Sequence, residues 1–338
     1  MRKKISIIGA GNVGSATALW VARNELGDVV LYNRTRGLAE GKALDLKESS
    51  PVEGFDLSIT GTDQIEQTRD SDVVVLTAGM ARQPGMSRDD LLTMNASLIS
   101  AIGAQIAKTS PNAVLIVVSN PVDAMVHVAA EATAFPRQRV MGMAGILDSA
   151  RFRTFIALEL GVSVEDTNAL VLGGHGDFMV PLPRYASVGG IPVVDLLPES
   201  RITALIERTR QGGAEILALM KVSSAYYAPA AAAGQMVEAV VKDKKRVLPC
   251  VAYLQGEYGI RDLFMGVPAV IGANGIERIL ELKLNDHELQ ALHKSAEAVR
   301  AQVVRFGGQS FKASPPESAS PASSEGGKLG TSSGAYAP

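Results

Sequence analysis

The feature that most constrains the fold is a glycine-rich segment near the N-terminus, Gly9-Ala-Gly11-Asn-Val-Gly14. A β-branched run at 4–8 precedes it and a helical pattern at 15–24 follows it. In such a G-x-G-x-x-G motif the first glycine permits a tight turn, the second lets main-chain N–H groups approach a pyrophosphate, and the third lets the helix pack on the strand. Because the motif lies between strand and helix, it predicts a dinucleotide-binding unit whose helix N-terminus binds the phosphates.

Strand and helix patterns alternate through the rest of the first half. Strand patterns lie at 28–32, 56–60, 72–77, 113–119 and 139–143, and helical patterns at 41–49 and 91–109. Six strands alternating with helices predict an α/β fold with a Rossmann-type doubly wound parallel sheet, and ligands bind such sheets at the carboxyl ends of the strands.

The second half alternates less regularly and predicts an α+β substrate or catalytic domain. Its strand patterns lie near 168–172, 186–188, 246–254 and 268–272, and its helical patterns at 201–221, 229–242 and 286–306. We expect a dinucleotide-binding domain over 1–147 and a substrate or catalytic domain over 148–312. Residues 313–338 are rich in Ser, Pro, Gly and Ala, which predicts a low-complexity disordered tail.

Composition excludes several classes of protein. A formal net charge of -2 argues against a nucleic-acid partner, and the chain contains no uncharged apolar run of membrane-spanning length. The N-terminus lacks a signal-peptide core, so we expect a cytoplasmic protein. Cys250 is the only cysteine, which excludes an intrachain disulfide and a thiolate metal cluster. We expect no bound metal, because no Cys/His/carboxylate spacing suggests a site.

The end of the second strand pattern bears on the choice of cofactor. An NAD-binding unit usually has Asp or Glu about 20 residues beyond the glycines, where it binds the adenosine ribose hydroxyls. Here the position is Asn33, followed by Arg34, Thr35 and Arg36. A neutral amide beside two guanidiniums favours NADP over NAD, since the arginines suit a 2′-phosphate. Alternatively, the arginines form a solvated turn and Asn33 binds the 2′-hydroxyl.

Two loops at predicted strand ends carry polar residues. The loop after Thr77 contains Arg82 and Arg88 and is suited to fold over a bound anion. In isolation, surface arginines on a flexible loop would be the simpler interpretation. After Ser119, Asn120 precedes a proline, where it either forms an ordinary turn or presents its amide to a ligand.

The segment Val171-Leu-Gly-Gly-His175-Gly-Asp177 is the best candidate for the chemistry. Histidine donates or accepts a proton near neutral pH, and the flanking glycines permit close approach of a ligand or another main chain. The alternative is a glycine-rich turn whose histidine only bonds its neighbours. Upstream, Asp148 resembles a helix N-cap, and Arg151 and Arg153 are compatible with ordinary helix-surface charges.

Taken together, these motifs resemble those of the lactate/malate dehydrogenase superfamily, and more closely its malate dehydrogenases of bacterial, lactate-dehydrogenase-like type. The resemblance spans roughly residues 3–305. It rests on Gly9-Ala-Gly11-Asn-Val-Gly14, Arg82-Gln-Pro-Gly-Met-Ser-Arg88, Ser119-Asn120-Pro, Leu147-Asp148-Ser-Ala-Arg151-Phe-Arg153 and Gly173-Gly-His175-Gly-Asp177, which occur in family order.

The resemblance implies a role for each candidate. His175 would donate and accept the proton, and Asp148 would pair with it. Arg151 would hold the C1 carboxylate of the substrate, and Arg88 would polarise the reacting carbonyl. The remaining substrate contacts would come from Arg82, which would bind the second carboxylate of oxaloacetate, and from Asn120.

The implied activity is reversible hydride transfer between (S)-malate or oxaloacetate and NAD or NADP. Cofactor contacts are expected from Gly9, Gly11, Asn12, Val13, Gly14, Asn33, Arg34, Arg36, Thr77, Ala78, Gly79, Asn95, Ser119 and Asn120. The segment at Asn33 departs from the family, which usually has an aspartate there. The family also implies a homodimer or homotetramer, with possible interfaces on the helices at 91–109 and 201–221. Two alternatives are a dehydrogenase for another 2-hydroxy acid, such as lactate, and a non-catalytic dinucleotide-binding protein.

Overall fold

The computed structural model describes residues 2–80 and 88–305, and in this part of the chain strands and helices alternate as predicted. The elements of the first half are β1 (Lys4–Ile8), α1 (Asn12–Arg23), β2 (Asp28–Tyr32), α2 (Leu38–Glu53), β3 (Ile59–Thr62), β4 (Val73–Leu76), α3 (Arg88–Thr109), β5 (Val114–Val117), α4 (Val122–Thr133) and β6 (Val140–Gly142). Each predicted strand of this half therefore exists, and the helices α1 and α2 begin about one turn earlier than their patterns suggest.

The second half contains one long hairpin and several short strands. Its elements are α5 (Gly145–Leu160), β7 (Thr167–Asn168), β8 (Val171–Leu172), β9 (Val180–Pro181), β10 (Ser187–Val188), β11 (Ile191–Pro192), α6 (Val193–Leu196), α7 (Glu199–Met220), α8 (Tyr227–Val241), β12 (Arg246–Gln255), β13 (Arg261–Gly272), β14 (Gly275–Ile279) and α9 (Asp286–Val304). The single strand predicted at 168–172 is two separate strands, and β14 was not predicted.

The main sheet has nine strands in the order β14-β13-β12-β6-β5-β4-β1-β2-β3. Strands β1 to β6 are parallel and follow the 3-2-1-4-5-6 order of the doubly wound dinucleotide fold. The predicted α/β class is therefore confirmed. The sequence did not predict that β12 would pair antiparallel with β6, so that the second half extends the same sheet.

Alternate residues of the parallel strands enter two hydrophobic cores on opposite faces of the sheet. Val73 and Val75 belong to one core, which also contains side chains of α1 and α8. Val74 and Leu76 belong to the other, with side chains of α3 and α4. Burial on both faces explains why these strands are continuous apolar runs and lack an alternating pattern.

The carboxyl ends of the central strands meet at one edge of the sheet. Ile8 lies beside Leu76, and Leu76 beside Val117, so β1, β4 and β5 end together. The Thr77 N–H donates to the Ile8 carbonyl at 2.9 Å, which continues the pairing into the loop. The segments that follow these strands are therefore neighbours, although they are far apart in the sequence.

Two parts of the sequence analysis lie outside the described residues. They are the predicted tail over 313–338 and the segment 81–87, which contains Arg82. Over residues 2–80 and 88–305, no helix combines the length and the apolar character needed to cross a bilayer.

The packing of α2 on β3 depends on a glycine and provides a test of the fold. A Cβ at Gly61 would lie 2.1 Å from the Ala39 carbonyl oxygen, whereas a Cβ at Gly41 would meet no described atom within 4 Å. We expect Gly61→Ala to lower the free energy of unfolding by about 1–3 kcal/mol or more, because backbone must move to admit the methyl group.

Gly41→Ala is the matched control for that substitution. It lies within α2 on an exposed surface, so it should raise the free energy of unfolding by up to about 1 kcal/mol through helix propensity. Urea unfolding at equilibrium measures both changes. Equal stability of the two variants would contradict the close contact between α2 and β3.

Candidate active site

In the glycine-rich turn between β1 and α1, Gly9 and Gly14 are packed against neighbouring backbone, whereas Gly11 borders open space. Gly9 has φ +116°, and a Cβ on Gly14 would lie 1.8 Å from the Gly9 carbonyl oxygen, so both positions require glycine. A Cβ on Gly11 would meet no described atom within 4 Å. The first N–H groups of α1, which lack intrahelical acceptors, begin beside this open space. The turn therefore fits a dinucleotide pyrophosphate.

The polar residues at the strand ends hold the loops around this turn. Thr77 Oγ1 donates to the Gly9 carbonyl at 2.9 Å, and Ser119 Oγ donates to the Leu76 carbonyl at 3.2 Å. Asn95 is buried, and its Nδ2 donates to the Asn120 carbonyl at 2.8 Å. These side chains thus fix the positions of the main chain near the cofactor-binding turn.

The segment after β2 leaves its cationic side chains exposed. The Asn33 N–H donates to the Thr62 carbonyl at 3.0 Å, and Arg34 and Arg36 are both exposed. A third cation, which the sequence analysis did not single out, lies closer to the turn. Lys42 Nζ donates to the Ala10 carbonyl at 2.8 Å. Cationic side chains therefore lie around the turn and the end of β2, where Asp63 and Glu66 also lie close to Tyr32.

Three consecutive main-chain N–H groups hold the segment that carries His175. Gly173 donates to the Gly266 carbonyl of β13 and Gly174 to Ser295 Oγ of α9, each at 2.8 Å. The His175 N–H donates to Asp123 Oδ2 of α4, also at 2.8 Å. The glycines allow this convergence, because a Cβ on Gly174 would lie 2.7 Å from the Val299 side chain. Three elements therefore fix the position of the imidazole.

The His175 side chain is hydrogen-bonded to a buried carboxylate. Its Nδ1 lies 2.8 Å from Asp148 Oδ2, while Asp148 Oδ1 accepts from Arg151 Nη1 at 3.2 Å. The prediction that Asp148 is an N-cap was wrong. Ala144 is the N-cap of α5, and Asp148 lies in the first turn, where the helix dipole favours its negative charge.

The surroundings of His175 have opposing effects on its basicity. Burial lowers the pKa of His175, but the Asp148 carboxylate, its hydrogen bond and the Asp123 carboxylate raise the pKa more. The net pKa lies above the usual histidine value. A proton at the free Nε2 is therefore held more firmly than on an isolated imidazole.

Asp123 is a carboxyl group near the site that the sequence analysis did not select. It is 3% exposed, and its Oδ1 has no hydrogen-bond partner among the described residues. Burial raises the pKa of Asp123 to about 6, although the charge and N–H of His175 lower it. The only sequence signal was its position three residues after Asn120, and the structure places it in the first turn of α4.

These groups border a cavity of about 310 Å³, whose lining includes Val13, Asn120, Leu147, Arg151, His175 and Arg210. Val13 belongs to the glycine-rich turn, so the cavity connects that turn to the imidazole. Arg210 was also missed, and its Nε has no partner in the described part of the chain.

Most of the predicted site residues thus converge. The structure brings together His175, Asp148, Arg151 and Asn120, next to the predicted cofactor turn. Arg82 lies outside the described residues, and of Arg88 only the backbone, at the start of α3, is described. The combination of a dinucleotide turn, an acid-paired histidine and a partly buried arginine is typical of dinucleotide-dependent oxidoreductases that act on a carboxylate substrate.

Comparison with known proteins identifies the family. The model of the lactate/malate dehydrogenase NAD binding domain matches residues 3–142, and that of the lactate/malate dehydrogenase alpha/beta C-terminal domain matches residues 146–305. The chain therefore belongs to the lactate/malate dehydrogenase family, as the sequence predicted. Its first domain accordingly binds a nicotinamide dinucleotide.

Individual relatives narrow the assignment. The chain is 60% identical over 299 residues to the malate dehydrogenase of Desulforudis audaxviator (strain MP104C), covering 88% of this chain and 97% of that protein. The apo structure of malate dehydrogenase from Picrophilus torridus is 47% identical with a TM-score of 0.89, covering 91% of this chain and 98% of that one.

A lactate dehydrogenase also shares the fold. The Cryptosporidium parvum enzyme, solved with lactic acid and nicotinamide adenine dinucleotide, is 40% identical with a TM-score of 0.88, covering 91% of this chain and 99% of that one. Fold alone therefore does not separate the two activities. The sequence groups the chain with the malate dehydrogenases, which confirms the predicted oxidoreductase function and does not favour the lactate dehydrogenase alternative.

The dependence of the His175 pKa on Asp123 can be tested directly. In Asp123→Asn the amide oxygen still accepts the His175 N–H, but the negative charge is lost. Because that charge raises the pKa of His175, we expect the imidazole to titrate at lower pH than in the wild-type protein. Nuclear magnetic resonance of labelled histidines measures the midpoint.

Asp177→Asn is the control, since Asp177 is an exposed carboxylate close to His175 in sequence. It should leave the midpoint unchanged. A His175 midpoint that does not move in Asp123→Asn would show that Asp123 does not influence the imidazole.

Proposed function

We propose that this chain catalyses the reversible interconversion of (S)-malate and oxaloacetate, with a nicotinamide dinucleotide as the redox partner. The observation that carries the proposal is the buried hydrogen bond between Asp148 and His175, with Arg151 on the other oxygen of the same carboxylate. A protein that kept this fold but had no catalytic activity would not need Asp148, His175 and Arg151 together. The high identity to malate dehydrogenases supports the same conclusion.

His175 is the proposed acid and base. When bound, the nicotinamide cofactor supplies or accepts the hydride at C2 of the substrate. The imidazolium of His175 gives the accompanying proton to the carbonyl oxygen, and the neutral imidazole removes it in the reverse direction. Asp148 holds Nδ1 and thereby fixes the tautomer and orientation of the ring, with Nε2 left for the substrate.

The arginines are the proposed carboxylate and carbonyl contacts. Arg151 offers a planar fork that matches the C1 carboxylate, and its position beside Asp148 brings that carboxylate close to His175. From the family resemblance, Arg88 polarises the reacting carbonyl and Asn120 orients the substrate. Arg82 binds the second carboxylate. A substrate with only one carboxylate would leave the desolvated guanidinium of Arg82 unpaired. Binding of lactate and pyruvate is therefore disfavoured relative to malate and oxaloacetate.

The glycine-rich turn is the proposed binding site for the pyrophosphate. The segment from Asn33 to Arg36 is the proposed binding site for the adenosine ribose. The main-chain N–H groups of Gly11 to Gly14 bind the phosphates, because the space above Gly11 is open. Arg34 and Arg36 are exposed at the adenosine end. They favour NADP through a charge-assisted bond to the 2′-phosphate.

Several further features of the protein are also proposed. We divide the chain into a dinucleotide-binding domain over 1–147 and a substrate domain over 148–312. We infer a cytoplasmic homodimer or homotetramer. The helices α3 and α7 are candidates for its interfaces, since Met94 of α3 and Leu217 and Leu219 of α7 are exposed apolar side chains.

The catalytic assignment predicts a specific pattern of activity loss. His175→Asn should lower kcat with oxaloacetate by about 10²–10⁴-fold, because the proton donor is removed. Asp148→Asn should lower kcat as well and move the basic limb of the oxaloacetate pH profile to lower pH, because reduction needs the protonated imidazole and the substitution removes the carboxylate that raises the pKa of His175. Steady-state kinetics across pH measures both effects.

His287→Asn, on the exposed surface of α9, is the matched histidine control and should retain wild-type kinetics. Full activity of His175→Asn would contradict the assignment. Absence of oxaloacetate-dependent oxidation of both NADH and NADPH by the wild-type protein would contradict the function itself.

The cofactor assignment predicts that the wild-type protein binds NADPH more tightly than NADH. In Asn33→Asp the new carboxylate repels the 2′-phosphate and accepts bonds from a free ribose hydroxyl, so the preference should shift towards NADH. Fluorescence titration of each reduced cofactor measures the dissociation constants. A strong preference of the wild-type protein for NADH would show that the arginines form a solvated turn.

A further inference from the structure

The helices α5 and α7 contact each other through side chains on one face of each. Near one end, Arg201 forms a bidentate ion pair with Glu159, with both N–O distances 2.7 Å. One turn further along α5, the Arg208 guanidinium lies over the Phe155 ring, 4.3 Å from its centre. As the α5 residue number falls, the α7 number rises, so the helices run antiparallel.

The next contact in this series involves Arg151 and lies at the candidate active site. Arg151 follows Glu159 and Phe155 at the same four-residue spacing on α5. Its α7 neighbour is Gly212, which is buried. A Cβ on Gly212 would lie 3.1 Å from Arg151 Cδ and 3.5 Å from its Nε. The stem of the arginine therefore rests directly on the backbone of α7.

The adjacent Gly213 has a different relation to the same side chain. A Cβ there would lie 3.7 Å from Arg151 Nη2, which is an ordinary van der Waals distance. Each glycine in the interior of a helix destabilises it relative to alanine, and α7 contains two in succession. A bidentate ion pair between Arg208 and Glu215 spans this glycine pair. A side chain at position 212 would therefore meet the stem of Arg151, whereas one at position 213 would border the cavity.

We propose that Gly212 is a positioning residue for carboxylate recognition. The bare backbone at Gly212 lets the Arg151 side chain lie flat between α5 and α7, with Nη1 on Asp148 and the rest of the guanidinium towards the cavity. This inference rests on the proposed function, in which Arg151 binds the substrate carboxylate. A methyl group at position 212 pushes the stem away from α7 and misaligns the bidentate fork.

The test compares Gly212→Ala with Gly41→Ala in the full chain. Gly212→Ala should raise the KM for oxaloacetate by about 10-fold or more, because small displacements of a positioning group have large effects. It should weaken the binding of tartronate, a non-reacting dicarboxylate, by a similar factor in calorimetry with reduced cofactor present. The dissociation constant of the reduced cofactor alone should not change.

Gly41→Ala is the matched control, since it adds the same methyl group to a helical glycine that lies on the exposed surface of α2, away from the cavity. It should keep the wild-type KM and raise Tm, because alanine favours the helix. In an Arg151→Ala background, Gly212→Ala should add no further loss of tartronate affinity. That result distinguishes displacement of Arg151 from a general disturbance of α7.

Two outcomes would overturn the inference while leaving the proposed function intact. One is an active wild-type protein in which Arg151→Ala raises the KM and Gly212→Ala does not. The other is a Gly212→Ala effect that persists unchanged without Arg151. A wild-type protein without activity towards oxaloacetate would overturn the proposed function instead.

Discussion

The site depends on one buried interaction, the hydrogen bond between the carboxylate of Asp148 and the imidazole of His175. An unpaired carboxylate at 1% exposure would be costly, so the structure surrounds it with donors, namely His175 on one oxygen and Arg151 on the other. The helix dipole of α5 adds to this stabilisation. Because the partners come from α5 and from the segment after β8, these two parts must pack together before both carboxylate oxygens are satisfied. The contact that stabilises the buried carboxylate is also the one on which the proposed chemistry depends.

Much of the fold could be predicted because its determinants are local. The glycine motif after β1 and the apolar runs of β2, β4, β5 and β6 each carry their signal within a few residues. The short strands β7 to β11 carry almost none, since two-residue strands have no period to detect. The antiparallel pairing of β12 with β6 joins Val251 to Gly142, and no local pattern specifies so distant a partner.

The residues of the candidate site also fall into two groups, those that the sequence predicted and those that only the folded chain reveals. His175 and Asp148 were recognised from motifs and from a family resemblance, and the structure brings them into contact. Asp123 was missed because its importance comes from burial and from a bond to the His175 main chain, which only the folded chain creates. Gly212 was missed because a glycine within a helical pattern indicates only a lower helix propensity. Its close approach to Arg151 becomes visible only when α5 and α7 are packed together.

The pairing of β12 with β6 has a consequence for how the protein is organised. The two family segments, 3–142 and 146–305, are consecutive in the chain, and the pairing of Val251 with Gly142 joins their strands into one nine-stranded sheet. Without β12, the terminal strand of the nucleotide unit would present unpaired N–H and C=O groups along an open border. Each half therefore completes the sheet of the other, and neither half would cover all of its strand edges alone.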